Sequence, residues 1–128
     1  MIIRKAQTSD LGNIMLMYKS CVAGMIENGI DQWDATYPNA GVIMEDLIAQ
    51  TYFVAEENSI IIGGINIDQN QDKTYLEIDW EDKSDSSLVV HRLGVKEEFW
   101  KKGIGKKLMI FAENLVAEKG LNSIRLDT

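Results

Sequence analysis

The chain is poor in several residues whose scarcity excludes whole classes of protein. Cys21 is its one cysteine, so the chain cannot form an internal disulfide or a zinc site with several cysteine ligands, which suits a reducing compartment. It has one proline, and no stretch rich in proline, glycine and serine marks a linker. The longest apolar stretch, 60–67, is far too short to span a bilayer, and residues 1–10 do not resemble a secretory signal. We therefore expect a single domain over 1–128, soluble and cytoplasmic.

Positive charge is also scarce, because thirteen Lys and Arg stand against twenty Asp and Glu, a net charge of −7. This balance disfavours binding to nucleic acid and to anionic membrane surfaces. Six of the thirteen basic residues nevertheless fall within sixteen positions: Arg92, Lys96, Lys101, Lys102, Lys106 and Lys107. A local group of cations in an acidic protein indicates a specific anionic ligand.

The spacing of apolar residues predicts an α/β fold with a mixed sheet. Apolar residues three and four apart predict helices over 11–29, 41–49 and 103–119. Runs of β-forming residues predict strands at 2–3, 52–55, 60–67, 75–81, 88–95 and 123–127. We expect the early strands to be antiparallel and the last two to be parallel, since a helix connects them.

Two glycines, Gly103 and Gly105, lie where the third predicted helix begins, with lysines on both sides. The first amides of a helix have no internal partners and carry partial positive charge, and glycine lets an anion approach them closely. The turn therefore predicts a phosphate site; the alternative is a helix start that merely needs backbone room. It matches neither the P-loop nor the dinucleotide fingerprint, since Leu108 stands where the latter needs its third glycine.

The window 100–105, Trp-Lys-Lys-Gly-Ile-Gly, resembles the Arg/Gln-x-x-Gly-x-Gly/Ala signature of the acyl-CoA-dependent N-acetyltransferases of the GNAT superfamily. Both glycines match, whereas Trp100 replaces the Arg or Gln. The preceding LVVHRLGVKEEFW resembles the family's strand and loop, and the order of elements fits from residue 1. The resemblance implies a GNAT-like mixed α/β fold and an enzyme that transfers the acetyl group of acetyl-CoA to a primary amine of a small molecule or peptide by direct attack, without a metal.

The resemblance also implies roles for particular residues. Backbone amides of the signature would hold the diphosphate of coenzyme A, and the pantetheine arm would pair with the preceding strand like an added strand. The implied cofactor-binding residues are Leu93, Gly94, Val95, Lys101, Lys102, Gly103, Ile104, Gly105 and Lys106. The loop after the first helix would border the acceptor amine through Asp31, Trp33, Asp34 and Tyr37. The alternative is that these loop residues simply pack on the surface.

An amine is protonated at pH 7, so the reaction needs a proton acceptor. The candidates are Glu77 and Asp79, on the acidic face of the predicted strand 75–81, and His91, the one histidine. The alternatives are a solvent-facing surface for the two acids and a hydrogen-bonded structural role for His91.

GNAT domains usually continue with another helix and two strands, which bring a tyrosine general acid and one wall of the coenzyme cleft. This sequence ends at Thr128, so the resemblance implies a C-terminally truncated fold, or a wall that a neighbouring molecule supplies. We therefore expect self-association, as a homodimer or by strand exchange. Two alternative functions stay open: a non-catalytic acyl-CoA-binding or dimerising module, and an unrelated anion-binding fold.

Overall fold

The computed structural model describes residues 1–30, 33, 38–68, 87–121 and 123–126. Within them, five strands form one sheet in the order β1-β2-β3-β4-β5. The strands are β1 (Ile2–Lys5), β2 (Tyr52–Glu57), β3 (Ile60–Asp68), β4 (Ser87–Val95) and β5 (Ser123–Leu126). The helices are α1 (Leu11–Glu27), α2 (Ala40–Ala49) and α3 (Ile104–Glu118). The strand expected at 75–81 lies outside the described residues.

The sheet is mixed, as the sequence predicts. β1, β2, β3 and β4 pair antiparallel in succession, and β5 pairs parallel to β4 after the crossover through α3. β2 and β3 form the expected hairpin around Asn58 and Ser59, which have φ of 52° and 67°. Two successive residues in the left-handed region twist a tight turn in the sense that the flanking strands require.

Helices cover the sheet on both faces. On one face, α1 and α2 bury the side chains of Ile14, Met17, Tyr18, Ile43 and Leu47 against Tyr52 and Val54. On the other, Leu108 and Ala112 of α3 pack against Ile62, Ile65, Ile67, Leu88 and Val90. This two-sided burial explains why β3 and β4 read as nearly continuous apolar runs. No helix in the described ranges combines the length and the apolarity that crossing a membrane requires.

A polar contact joins β1, the start of α1 and β2. The Arg4 guanidinium donates two hydrogen bonds to Asp10, at 2.9 and 3.1 Å, and one to Glu56 at 3.0 Å. The backbone N–H of Gln7 donates to the same Asp10 carboxylate at 2.7 Å, and the Gln7 side chain accepts from the backbone N–H of Asp10. This capping box starts the turn Thr8–Asp10 that leads into α1. The hydrogen bonds from Arg4 hold the pKa of Asp10 below its usual value.

Replacing Asp10 by Asn should lower the free energy of unfolding at pH 7 by about 1 kcal/mol, because it removes the negative charge that Arg4 binds. The pKa of Asp10 is lower in the folded than in the unfolded state. The wild-type advantage is therefore present above the usual carboxyl value of about 3.9 and is lost as the pH falls through the folded-state value. Urea unfolding at pH 7 and at about pH 2 measures the difference.

Glu57→Gln, at the exposed end of β2, is the control and should change the free energy of unfolding by less than about 0.5 kcal/mol. A loss in Asp10→Asn that is equal at both pH values would show that the charge is not what Arg4 recognises.

Candidate functional site

A cavity of about 370 Å³ lies between the end of β4, the start of α3 and α1. Its lining comprises Cys21, Met25, Leu93, Gly94, Val95, Phe99, Trp100, Lys101, Gly103, Ile104 and Gly105. The structure thus brings together all the residues expected to bind the cofactor except Lys102 and Lys106. Both of these lysines are exposed, and the Lys102 ammonium lies 5.3 Å from the centre of the Phe99 ring.

The turn before α3 lines this cavity and contains backbone N–H groups that have no partner within the helix. The backbone N–H of Lys107 donates to the carbonyl of Gly103 at 3.0 Å. The backbone amides of 104–106 therefore precede the first hydrogen bond of the helix. Gly103 stands at the cap with φ of 79° and has no side chain with which to bind these amides. Together with the helix dipole, the turn has the geometry of an anion site.

β4 carries a bulge beside the cavity. The pairs Gly64–Gly94 and Asn66–His91 enclose one residue of β3 but two of β4, and one of those two, Arg92, has φ of 56°. This conformation is uncommon for a residue other than glycine. A bulge re-aims the side chains around it. Here Arg92 reaches α2, and His91 reaches the end of β3.

Buried hydrogen bonds hold the bulge in place. The Tyr18 hydroxyl donates to the backbone carbonyl of Arg92. The Tyr52 hydroxyl in turn donates to the hydroxyl oxygen of Tyr18 at 2.7 Å. The Arg92 guanidinium donates two hydrogen bonds of 2.7 Å to Asp46 of α2. Burial raises the pKa of Asp46, with Arg92 opposing the rise, and burial also raises the pKa of both phenols. The two tyrosines therefore remain neutral hydrogen-bond donors.

Two glycines leave room for these rings against the sheet. A Cβ on Gly94 would lie 2.6 Å from Cε1 of Tyr18, and one on Gly64 would lie 2.0 Å from the hydroxyl oxygen of Tyr52. Both distances are shorter than real Cβ contacts, so larger residues at either position would displace the tyrosines. The sequence alone did not indicate this pairing of tyrosine and glycine.

His91 belongs to a chain of polar side chains at the end of β3. Its Nε2 lies 3.2 Å from Oδ1 of Asp68, and Oδ2 of Asp68 accepts from the Asn66 side chain at 2.8 Å. Asn66 is fully buried and accepts in turn from the Thr51 hydroxyl. These contacts fix the orientation of the Asp68 carboxylate beside His91. The other two candidate bases, Glu77 and Asp79, lie outside the described residues.

Of the residues expected near the acceptor amine, Trp33 lies within the described part of the chain. Its ring is 5.7 Å from that of Tyr18, edge to face at 70°. Trp33 therefore lies beside the tyrosine that holds the bulge, on the α1–α2 face of the sheet. Asp31, Asp34 and Tyr37 lie outside the described residues.

The cations are less concentrated at the cavity than their positions in the sequence indicate. Arg92 binds Asp46, and the Lys96 ammonium lies 3.4 Å from Glu98. Within the described ranges, Lys101 is the lysine that lines the cavity. In those same ranges, no group of three or more His, Cys, Asp and Glu side chains is arranged to hold a metal ion.

Sequence reasoning did not assign Cys21, Met25, Phe99 or Trp100 to the site. Cys21 and Met25 are four residues apart on one face of α1, a pattern that ordinary core residues share. Burial raises the pKa of the Cys21 thiol, and a hydrogen bond with the Val95 backbone opposes that rise. The available signal was Trp100, because it departs from the signature that surrounds it.

Comparisons with known proteins agree with this architecture. A family model described as the acetyltransferase (GNAT) family matches residues 13–128. A Staphylococcus aureus MU50 protein, described as an acetyltransferase, is 30% identical with a TM-score of 0.78; the match covers 100% of this chain and 80% of that one. A GNAT-family acetyltransferase of Listeria monocytogenes 4b F2365 is 22% identical with a TM-score of 0.80, covering 99% and 76% of the two chains.

A third similar structure is the PaiA N-acetyltransferase of Thermoplasma acidophilum in complex with coenzyme A. It is 24% identical with a TM-score of 0.67, and the match covers 98% of this chain and 77% of that one. No curated protein sequence matches the chain.

The mixed five-stranded sheet with helices on both faces is a GNAT-like fold, as the similarity to these structures shows. The chain belongs to the acetyltransferase (GNAT) family, because the family model spans nearly all of it and the Staphylococcus aureus protein matches it over its whole length. The family and the fold expected from the signature are thereby confirmed.

Replacing Tyr18 by Phe should lower the free energy of unfolding by about 1–3 kcal/mol, because the buried carbonyl of Arg92 loses its donor and Tyr52 loses its acceptor. Tyr52→Phe leaves the Arg92 carbonyl bonded and should cost less. Since the two hydroxyls share one hydrogen bond, the double variant should lose less than the sum of the single losses. Urea unfolding of the three variants measures this, and strictly additive losses would contradict the arrangement.

Proposed function

We propose that the protein is an N-acetyltransferase that moves the acetyl group of acetyl-CoA to a primary amine of a small molecule or peptide by direct attack. The observation that carries this proposal is a single cavity that joins the end of β4 to the glycine turn of α3. Coenzyme A needs both features, because its diphosphate is an anion and its pantetheine arm is a chain of amides that can pair with a strand.

The residues of the cavity fit this substrate. The amides of 104–106 suit the diphosphate, with Lys101 beside them. Val95 and Cys21 both line the cavity, so the Val95 backbone lies where an amide of the pantetheine arm can pair with it. A Cβ on Gly105 would come no closer than 3.9 Å to its nearest neighbour, Cγ2 of Val95, so the glycine leaves space at the mouth of the turn.

His91 is the base that the described residues support best. His91 would take up the proton of the amine, directly or through a water molecule, while Asp68 orients its ring. Attack of the deprotonated amine on the thioester carbonyl forms the amide bond and releases the coenzyme A thiolate. A backbone amide of β4 can stabilise the carbonyl oxygen as it gains charge.

The acceptor side stays a prediction. Trp33 offers an aromatic surface beside Tyr18, and aromatic faces attract ammonium groups. Asp31, Asp34 and Tyr37 remain proposed neighbours of the amine on the basis of the family resemblance, as do Glu77 and Asp79 for proton transfer. The expected self-association and cytoplasmic location also stay predictions.

Gly105→Val should weaken the binding of coenzyme A by about tenfold or more, because the added side chain fills part of the cavity, while its Cβ comes no closer than 3.9 Å to a neighbouring atom. Gly12→Val is a matched control, since Gly12 is also the second residue of a helix and faces open space. Calorimetric titration with coenzyme A measures the affinities, and thermal unfolding checks that both variants fold. Equal affinity in the two variants would contradict a diphosphate site at this turn.

His91→Gln should lower kcat by about a hundredfold or more while leaving the affinity for coenzyme A unchanged, because His91 is proposed to act on the amine. The assay is the release of free thiol from acetyl-CoA with a panel of amines. Amine-dependent release by the wild type supports the enzyme; binding without turnover of any amine favours the non-catalytic acyl-CoA-binding module. A wild-type rate in His91→Gln would exclude His91 as the base.

A further inference from the structure

Trp100 stands at the signature position where the family has Arg or Gln, and its side chain is engaged within the protein. Its indole Nε1–H donates to the carbonyl of Val95 at 2.8 Å. The indole has no second polar hydrogen, so Trp100 has no N–H left to give to a phosphate. The side chain instead ties the glycine turn to the end of β4.

The far edge of the same ring packs on α1. A Cβ on Gly24 would lie 2.9 Å from Cη2 of Trp100 and 2.8 Å from the side chain of Glu97, so α1 accommodates this segment only because it has a glycine there. One turn earlier, the Ser20 hydroxyl accepts from the Glu97 amide at 3.1 Å. The segment 97–100 is therefore seated on α1 at one side and on β4 at the other.

The next residue needs such support. Lys101 has φ of 66°, a left-handed conformation that brings a Cβ too close to the following carbonyl oxygen. Such a conformation persists where the surroundings determine it, and residues of this kind gather at ligand sites. Since Trp100 immediately precedes Lys101, its contacts with Val95 and Gly24 set the direction in which the turn leaves.

We propose that Trp100 is a positioning residue of the coenzyme A site. It holds the turn 101–105 so that its amides face the diphosphate, and it makes no contact with the phosphates itself. This inference rests on the proposed function. In place of a polar side chain that can reach a ligand, this chain uses an aromatic ring that orders the backbone.

The test is a coenzyme A titration followed by NMR at the amide signals of Gly103 and Gly105. Trp100→Phe removes the hydrogen bond to Val95 and shortens the ring, and Gly24→Ala displaces the ring without altering it. Each should raise the dissociation constant about tenfold. Gly12→Ala, the same substitution in open space on the same helix, should leave it unchanged.

Pantetheine, which lacks the diphosphate, is the second probe and is followed at Gly94. Its dissociation constant should change by less than about twofold in Trp100→Phe, much less than the tenfold change expected for coenzyme A. An equal loss of affinity for both ligands would indicate general damage to the fold and overturn the inference. So would wild-type affinity for coenzyme A in both variants. If the wild-type glycine signals do not respond to coenzyme A, the proposed function itself fails.

Discussion

The conformation of Arg92 is the constraint on which the rest of the site depends. A residue with a Cβ holds φ of 56° there because Tyr18 binds its carbonyl and Asp46 binds its guanidinium. Removing either ion of this part-buried pair should be costly, because the remaining ion has lost part of its hydration. The resulting bulge places the Arg92 guanidinium on Asp46 of α2 and leaves the backbone of 93–95 along the wall of the cavity.

The helices and strands of the described residues and the glycine turn could be predicted from the sequence because their signals are local. The spacing of apolar residues indicates α3, and Gly103 and Gly105 are two positions apart at its start. The contacts that shape the site join distant residues: Tyr18 and Arg92 are 74 positions apart, and Asp46 and Arg92 are 46. No short pattern encodes such pairs, so they became visible only in the fold.

The positions of the basic residues in the sequence likewise do not show which charges lie at the cavity. A count of charges along the sequence places Arg92 in the cationic group beside the signature. In the fold its charge is paired with Asp46, at the opposite face of the strand from α3. The proposed anion site consequently offers uncharged amides and the helix dipole more than side-chain charge, which agrees with the acidic character of the whole chain.

Backbone amides cannot be exchanged by mutation, so the selectivity of such a site resides in the side chains that hold the backbone. α1 supports both ends of the cavity: Tyr18 holds the bulge, and Gly24 receives Trp100 of the turn. These two positions are six residues apart, about 9 Å along the helix. Because a helix is rigid over that length, α1 sets the distance between the bulge of β4 and the turn proposed for the diphosphate.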